Sequence, residues 1–574
     1  MKIKFVMLAL VTAITAETAL FGAPYRCKMS GNNLVADVII VGGGAAGCIV
    51  MKELSENGQL SVLGIEGGLN LTSDPAIEAV GLSAFLLANT GKAEYFWPGW
   101  NQSLPMPGLN GRTSDWTTGM VLGGGSSING LYYGRGSSAM YSRWEEVSGS
   151  SNWSLDNILA TFKALENYQG LTITPGARGD DGLLSVLQTP TISQVTLDVL
   201  LPAAQAAFPG IPTVNDYNDP SSVNCIDPRT QWFIDSTGSK RASSATAYLS
   251  NSVMTPEGQG VNGHKLFMLF NAVATKIIFD KNGRAKKVQY IQNGKFFEAE
   301  ARKAVVLASG INSSKLLQLS GIGPSEVLKN AGIEPVFINE NVGKHLQNHP
   351  LIFIPLLADS KNGIPAGAPY AFTIQSVYLP IVTGNASDPR MVQMLFEYIP
   401  NSIQPVVVIG FNLLNPVSEG SVNIQSNNPF QIAAADDAFY QDSIDLENMK
   451  DVVKVYIQNL LSQLAAIAPG SYFPIPGDPF YSVIIGGYSD ASVTAYVKNN
   501  SNLSLDIHHF TGHCKMAPLE AGGVVDGNTR VYGTQNVYVV DNSICPVIPD
   551  INTAGPAMMI GLRSSQILKQ VLLK

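Results

Sequence analysis

Gly42, Gly44 and Gly47 stand at Gly-x-Gly-x-x-Gly spacing directly after the apolar run Val38-Ile-Ile-Val41. Such a turn bends tightly and lays backbone N–H groups against a phosphate at the start of a helix. Gly42 permits the bend, Gly44 the close approach, and Gly47 the tight packing of helix on strand. Glu66 follows 19 residues after Gly47, at the end of Leu60-Ser-Val-Leu-Gly-Ile65. A carboxylate there accepts hydrogen bonds from a ribose diol, so the four residues together predict a bound dinucleotide. Their spacing does not separate a nicotinamide from a flavin. All six histidines (His264, His345, His349, His508, His509 and His513) lie at or beyond residue 264. A neutral imidazole, with an ordinary pKa of about 6.5, can take a proton near neutral pH. His264 and His345 read as surface or loop residues.

These residues need elements to hold them. Ala36-Asp-Val-Ile-Ile-Val41, the glycine turn, a helical pattern carrying Ile49, Val50, Met51 and Leu54, and the run ending at Glu66 make a strand–turn–helix–strand unit. Strands this apolar belong to a parallel sheet covered on both faces. Further along, Val406-Val-Val-Ile-Gly-Phe411 and Gly420-Ser-Val-Asn-Ile424 read as strands, and Glu447–Ala466 as an amphipathic helix.

With 574 residues, 45% of them apolar and 14% charged, the chain can fill more than one core. Its net charge is −8, and no basic run offers a nucleic-acid site. Lys2 and Lys4 precede an apolar stretch from Phe5 to Ile14, with Ala16 beyond it. That is the layout of a secretory signal over residues 1–16, although an ordinary N-terminal helix has the same composition. The stretch is shorter than the roughly 20 residues of a membrane span. Seven Asn-x-Ser/Thr triplets, at Asn70, Asn101, Asn152, Asn312, Asn385, Asn499 and Asn502, are compatible with glycosylation of a secreted protein. Five cysteines without a CxxC spacing argue against a zinc site and allow at most one or two bridges, so no metal is expected.

A second glycine-rich stretch, Gly119-Met-Val-Leu-Gly-Gly-Gly-Ser-Ser-Ile-Asn-Gly130 followed by Leu-Tyr-Tyr-Gly-Arg-Gly136, resembles the glucose–methanol–choline (GMC) oxidoreductases, which are FAD-dependent. Gly125 is an extra residue relative to that family's pattern. Ala308-Ser-Gly-Ile-Asn-Ser-Ser314 through Ser320-Gly-Ile-Gly-Pro324 resembles a second family pattern, with Ser314 where proline is usual. Shorter matches lie at Asp216-Tyr-Asn218, Arg241-Ala-Ser243 and Val342–Leu346. The block His509-Phe-Thr-Gly-His-Cys514-Lys-Met, with Val539-Val-Asp541-Asn-Ser543, completes the order.

The resemblance implies an α/β FAD-binding Rossmann-like domain from residues 36–150, 240–350 and 505–574. It implies an α+β substrate domain with a mixed, largely antiparallel sheet from 151–239 and 351–504. It also implies oxidation of a primary or secondary alcohol by hydride transfer to flavin N5, with oxygen or another acceptor reoxidising the flavin. His509, five positions before Cys514, takes the place of the family's histidine that faces flavin and substrate. Asn552 takes the place of its His-or-Asn partner. His513 stands where Thr or Ser is usual, and His349 falls at a structural or flavin-facing position. The FAD cradle implied is Gly42, Gly44, Ala45, Ala46, Gly47 and Glu66, then Val121, Gly123, Gly124, Asn129 and Gly130. Asn129, Gly123 and Gly124 are expected along the isoalloxazine, Ala274 at the adenine and Asp541 at the ribityl or pyrophosphate, with Asn552 and Thr553 among the further cofactor contacts.

Some members tether FAD through a histidine in the N-terminal third, where this chain has none, so non-covalent FAD is expected. Two other readings share the architecture. One is a flavin-containing hydroxynitrile lyase, against which Asn552 counts because those relatives usually have histidine there. The other is a non-catalytic coat or particle protein, for example of a virus particle; homo-oligomer or particle assembly stays open on the sequence.

Overall fold

The computed structural model describes residues 24–31, 33–85, 87, 91–98, 103–114, 116–358, 373–399, 406–502 and 508–574. The expected signal segment 1–16 and the triplet at Asn101 lie outside them.

The predicted strand–turn–helix–strand unit is β1 (Asn33–Val41), α1 (Ala45–Ser55) and β2 (Val62–Ile65). β1 is fully buried from Val38 to Val41 because α1 covers it, and so alternation is absent. β3 (Leu266–Leu269), β4 (Ala272–Phe279), β5 (Ala285–Gln292) and β6 (Lys295–Leu307) widen the same sheet. Its order is β3-β2-β1-β6-β5-β4. The first half of β6 pairs antiparallel with β5, Gln292 opposite Lys295, and its second half runs parallel to β1, Val305 opposite Ile39. A short helix α2 (Asn312–Leu319) follows.

The chain then leaves this sheet for another. β7 (Leu351–Leu357), β8 (Thr373–Leu379), β9 (Val392–Ile399) and β10 (Val406–Leu413) form it, with Phe473–Pro474 and Cys225–Asp227 at its edges. Every pairing within it is antiparallel. A helical run covers its outer face: Ser443–Asp451, a π turn over Val452–Ile457, and Gln458–Ile467. Met449, Val453, Tyr456, Leu460 and Leu464 from this run enter the second core beside Ile354, Phe396 and Ile409. Returning, β11 (Val537–Val539) pairs parallel with β6, and α3 (Ala554–Leu572) packs on α1 so tightly that a Cβ on Gly561 would stand 2.8 Å from the Ala46 carbonyl oxygen.

The glycosylation triplets differ in access, and the cysteines are unpaired. Asn502 is buried with its Oδ1 accepting from the Leu351 N–H, and Asn312 lies in a cavity wall, so neither offers a free glycosylation site. Asn385 and Asn499 are exposed. All five cysteines are free thiols, with Cys48, Cys225, Cys514 and Cys545 buried.

Candidate active site

A cavity of about 640 Å³ lies between the C-terminal ends of β1 and β2 and one face of the second sheet. Ligands of open α/β sheets bind at such strand ends. At one end of the cavity Gly42 adopts φ +101°, and a Cβ there would stand 2.4 Å from the Ala308 carbonyl oxygen. Gly47 lies behind the wall, its Cα facing the Gly42 carbonyl where a Cβ would approach to 2.1 Å. Gly44, Ala45 and Ala46 line the cavity, and α1 has no side-chain cap. Its first N–H groups therefore lack acceptors and form an anion seat.

Glu66 also lines this end, with one carboxylate oxygen accepting from the Gly43 N–H at 2.6 Å and the other from Gly68 at 2.7 Å. Burial pushes its pKa up. Each oxygen retains another acceptor site for a diol. Ala274 is on the wall close by.

The second glycine-rich stretch docks onto the first through the Gly123 N–H, which donates to the Gly43 carbonyl at 2.7 Å. Gly124, Asn129 and Gly130 line the cavity. Gly123 and Val121 differ from expectation: neither is on the wall, because Gly123 makes the turn at φ +90° and Val121 is buried in a bridge to Leu69. Arg241 fixes Asn129, donating from one Nη to its carbonyl oxygen at 2.7 Å and its Oδ1 at 2.6 Å. Tyr132 reaches the cavity, whereas Tyr133 is buried with its hydroxyl donating to Glu166.

Asp541 lines the cavity, yet its carboxylate is taken by Gly310 and Ser313 on one oxygen and by Ser543 on the other. It organises two loops and does not present a free charge. α3 opens on the same space at Thr553 and Ala554, again without a side-chain cap. Two uncapped helix N-termini thus face one cavity, and their partial positive charge suits a pyrophosphate and an electron-rich ring. These donors, the glycine cradle and Glu66 fit a flavin dinucleotide.

At the other end the structure brings together His509 and Asn552, and adds residues that spacing did not reveal. His349 Nε2 lies 3.1 Å from the Leu414 carbonyl oxygen, an acceptor only, so this nitrogen carries the proton. The Nδ1 of neutral His349 is then an acceptor, and His509 Nδ1, 2.8 Å away, must donate to it. The proton-free Nε2 of His509 is left facing the Asn552 Nδ2 at 3.5 Å. Asn552 is oriented in turn by Gln393, whose Nε2 donates to the Asn552 Oδ1 at 3.0 Å. Asn348 Oδ1 accepts from the backbone N–H of both His349 and His509.

Burial drives His349 down to about 3. His509 is held well below its ordinary value, first by burial and then by His349 and His508. Both rings are therefore neutral near pH 7, as the hydrogen-bond assignment requires. His508 also reaches the cavity, with burial lowering it to about 4.

The two departures from the family pattern meet each other. His513 Nδ1 lies 2.9 Å from Ser314 Oγ, both groups buried, so the serine in place of proline and the histidine in place of Thr or Ser form one contact. Of these added residues, the Asn348-His349 pair had set His349 at a structural or flavin-facing position without giving it a role. Gln393 carried no signal, since it lies 116 residues before His509 in an unremarkable strand.

The sequence pattern of the GMC oxidoreductases matches residues 36–351 and 416–561. The chain is 30% identical to a pyranose dehydrogenase of Agaricus campestris over 91% of each chain. It is 29% identical to an oxygen-dependent choline dehydrogenase of Rhizobium etli, covering 92% of this chain and 95% of that one. Among solved structures, pyridoxine 4-oxidase from Mesorbium loti superposes with a TM-score of 0.78 at 23% identity, over 92% of this chain and 98% of that one. The last likeness concerns the fold alone.

Proposed function

Because the chain belongs to the GMC oxidoreductase family, and is thereby an FAD-dependent oxidoreductase acting on CH–OH groups, we propose that it oxidises a primary or secondary alcohol to the carbonyl with His509 as base. The observation that carries this is the 2.8 Å contact of His509 Nδ1 with His349 Nδ1, which leaves His509 Nε2 as the acceptor nitrogen 3.5 Å from the Asn552 amide in the cavity that fits the dinucleotide. An alcohol oxygen seated between them gives its proton to Nε2 and receives a hydrogen bond from the Asn552 amide as charge builds on it. FAD, when bound, supplies the two-electron acceptor for the hydride that leaves the carbinol carbon. Asn552 exchanges no proton near neutral pH, so the base role falls to His509 alone.

FAD is held non-covalently in this reading. The histidines on the cavity wall, His508 and His509, stand at its reacting end. Residues 36–150, 240–350 and 505–574 serve the cofactor, and 151–239 with 351–504 the substrate, with oxygen or another acceptor closing the cycle. The signal-like N-terminus supports secretion, and among the described residues no helix is long and apolar enough to cross a membrane.

The test is the visible spectrum of the holoenzyme, taken anaerobically before and after addition of aromatic, aliphatic and sugar alcohols. Bleaching by one class, lost in His509→Ala while the yellow colour stays, is the expected result. A flavin that no alcohol bleaches, or full activity in His509→Ala, rejects the assignment. Acid precipitation that leaves the flavin in solution checks the non-covalent linkage.

A further inference from the structure

The face of the second sheet that closes the cavity grades from polar to apolar and back. On β9, Val392, Met394 and Phe396 point into the second core, so Gln393, Leu395 and Glu397 share the opposite face. Cross-strand pairing sets Asn412 beside Gln393, Gly410 beside Leu395, and Val408 beside Glu397. Gln393 anchors Asn552 at the reacting end. The middle is apolar: Leu395, and Gly410 with the Phe353 ring folded over it, 2.8 Å from where a Cβ would stand.

Glu397 ends the row. It lines the cavity while only 4% exposed, and its Oε2 has no hydrogen-bond partner among the described residues. No described cation pairs with it. Lys315, which lines the same cavity, is not among the groups that shift it. Burial alone pushes the carboxyl up to about 8. A buried carboxyl without a donor is costly unless something arrives to satisfy it.

We propose that Glu397 is the recognition group for a positively charged substituent at the far end of the substrate, making the preferred substrate an elongated amino alcohol. This rests on the alcohol-oxidising reading of His509. An ammonium brings three donors and the opposite charge, which meets both carboxylate oxygens, whereas a hydroxyl brings one donor and no charge. Gln393 and Glu397 are four residues apart on one strand, about 13 Å between their Cα atoms. Alcohol and cation must therefore sit at opposite ends of a chain or ring system, with apolar atoms against Leu395 and Phe353 between them.

The holoenzyme is tested with 8-amino-1-octanol, 1,8-octanediol and 1-nonanol, reading the anaerobic rate of flavin bleaching against concentration. The expected result is a kcat/KM for the amino alcohol at least about tenfold above the other two, carried mainly by KM. In Glu397→Gln this preference collapses to within about twofold. A wild-type enzyme that favours the diol or nonanol overturns the proposal, and this arm needs no variant to fold. A preference that survives intact in folded, yellow Glu397→Gln also overturns it.

Failure of the functional reading looks different, because then none of the three alcohols bleaches the flavin. In that case the Kd of octylammonium, read from the flavin difference spectrum, decides for Glu397. Weakening by at least about tenfold in Glu397→Gln supports the cation site, and equal binding rejects it.

Discussion

His349 and His509 meet through their Nδ1 atoms, 2.8 Å apart, and only one of the two nitrogens carries the proton. The Leu414 carbonyl decides which, by holding the single ring proton of neutral His349 on Nε2. A backbone oxygen at Leu414 thus fixes the tautomer of the base through an intervening ring. This is the logic by which a buried partner holds a catalytic imidazole in its working tautomer.

Removing that intermediary separates positioning from chemistry. In His349→Ala the flavin should remain bound, and its reduction rate should fall at least about tenfold, a part of the 10²–10⁴ a positioned base supplies. The loss should appear in kcat with KM little changed, because His349 touches His509 and not the alcohol. Stopped-flow bleaching over a range of alcohol concentrations checks it, and a pure KM effect contradicts the relay.

The pH dependence follows from the direction of the His509 shift. The base works unprotonated, and burial with two neighbouring imidazoles holds its pKa well below the ordinary 6.5. It therefore stays a free base as pH falls through 6.5, and loses activity only on protonation below that value. The acid limb of kcat/KM for a neutral alcohol should lie below pH 6.5. An acid limb centred at 6.5 or above would contradict the neutral buried pair.

Gly47 tests the cradle without touching the chemistry. A methyl group there would stand 2.1 Å from the Gly42 carbonyl oxygen, part of the turn that seats the cofactor. Gly47→Ala should lower Tm, with an overpacking cost of about 1–3 kcal/mol, and should yield protein with little flavin. The absorbance ratio of flavin to protein after purification, beside a thermal melt, measures both effects.

Ser314 and His513 should be energetically coupled. Each is buried, and among the described residues their contact is the one hydrogen bond of either side chain. Ser314→Ala, His513→Ala and the double variant form a cycle with an expected interaction of about 0.5–3 kcal/mol. Independent effects in denaturant titrations would mean that the two departures from the family pattern are unrelated.

The strand–turn–helix–strand unit and Glu66 were legible in the sequence because their signals are local. A glycine spacing, an apolar run and a helical period act within a few residues, and backbone sterics translate them directly into φ, ψ and an uncapped helix end. His509 and Asn552 were legible only through resemblance, since neither shows its role by spacing alone. Resemblance set Val121 and Gly123 in the same cradle, but in the fold Gly123 makes the turn at φ +90° and Val121 is held in a bridge to Leu69. Tertiary structure alone decided the rest. His349 meets His509 across 160 residues, Gln393 meets Asn552 across 159, and Ser314 meets His513 across 199. Such contacts depend on the register of one antiparallel sheet and on how its face closes over another. A one-residue slip in β9 would turn Gln393 and Glu397 into the core, and nothing in the local sequence of that strand states which neighbour sets its register.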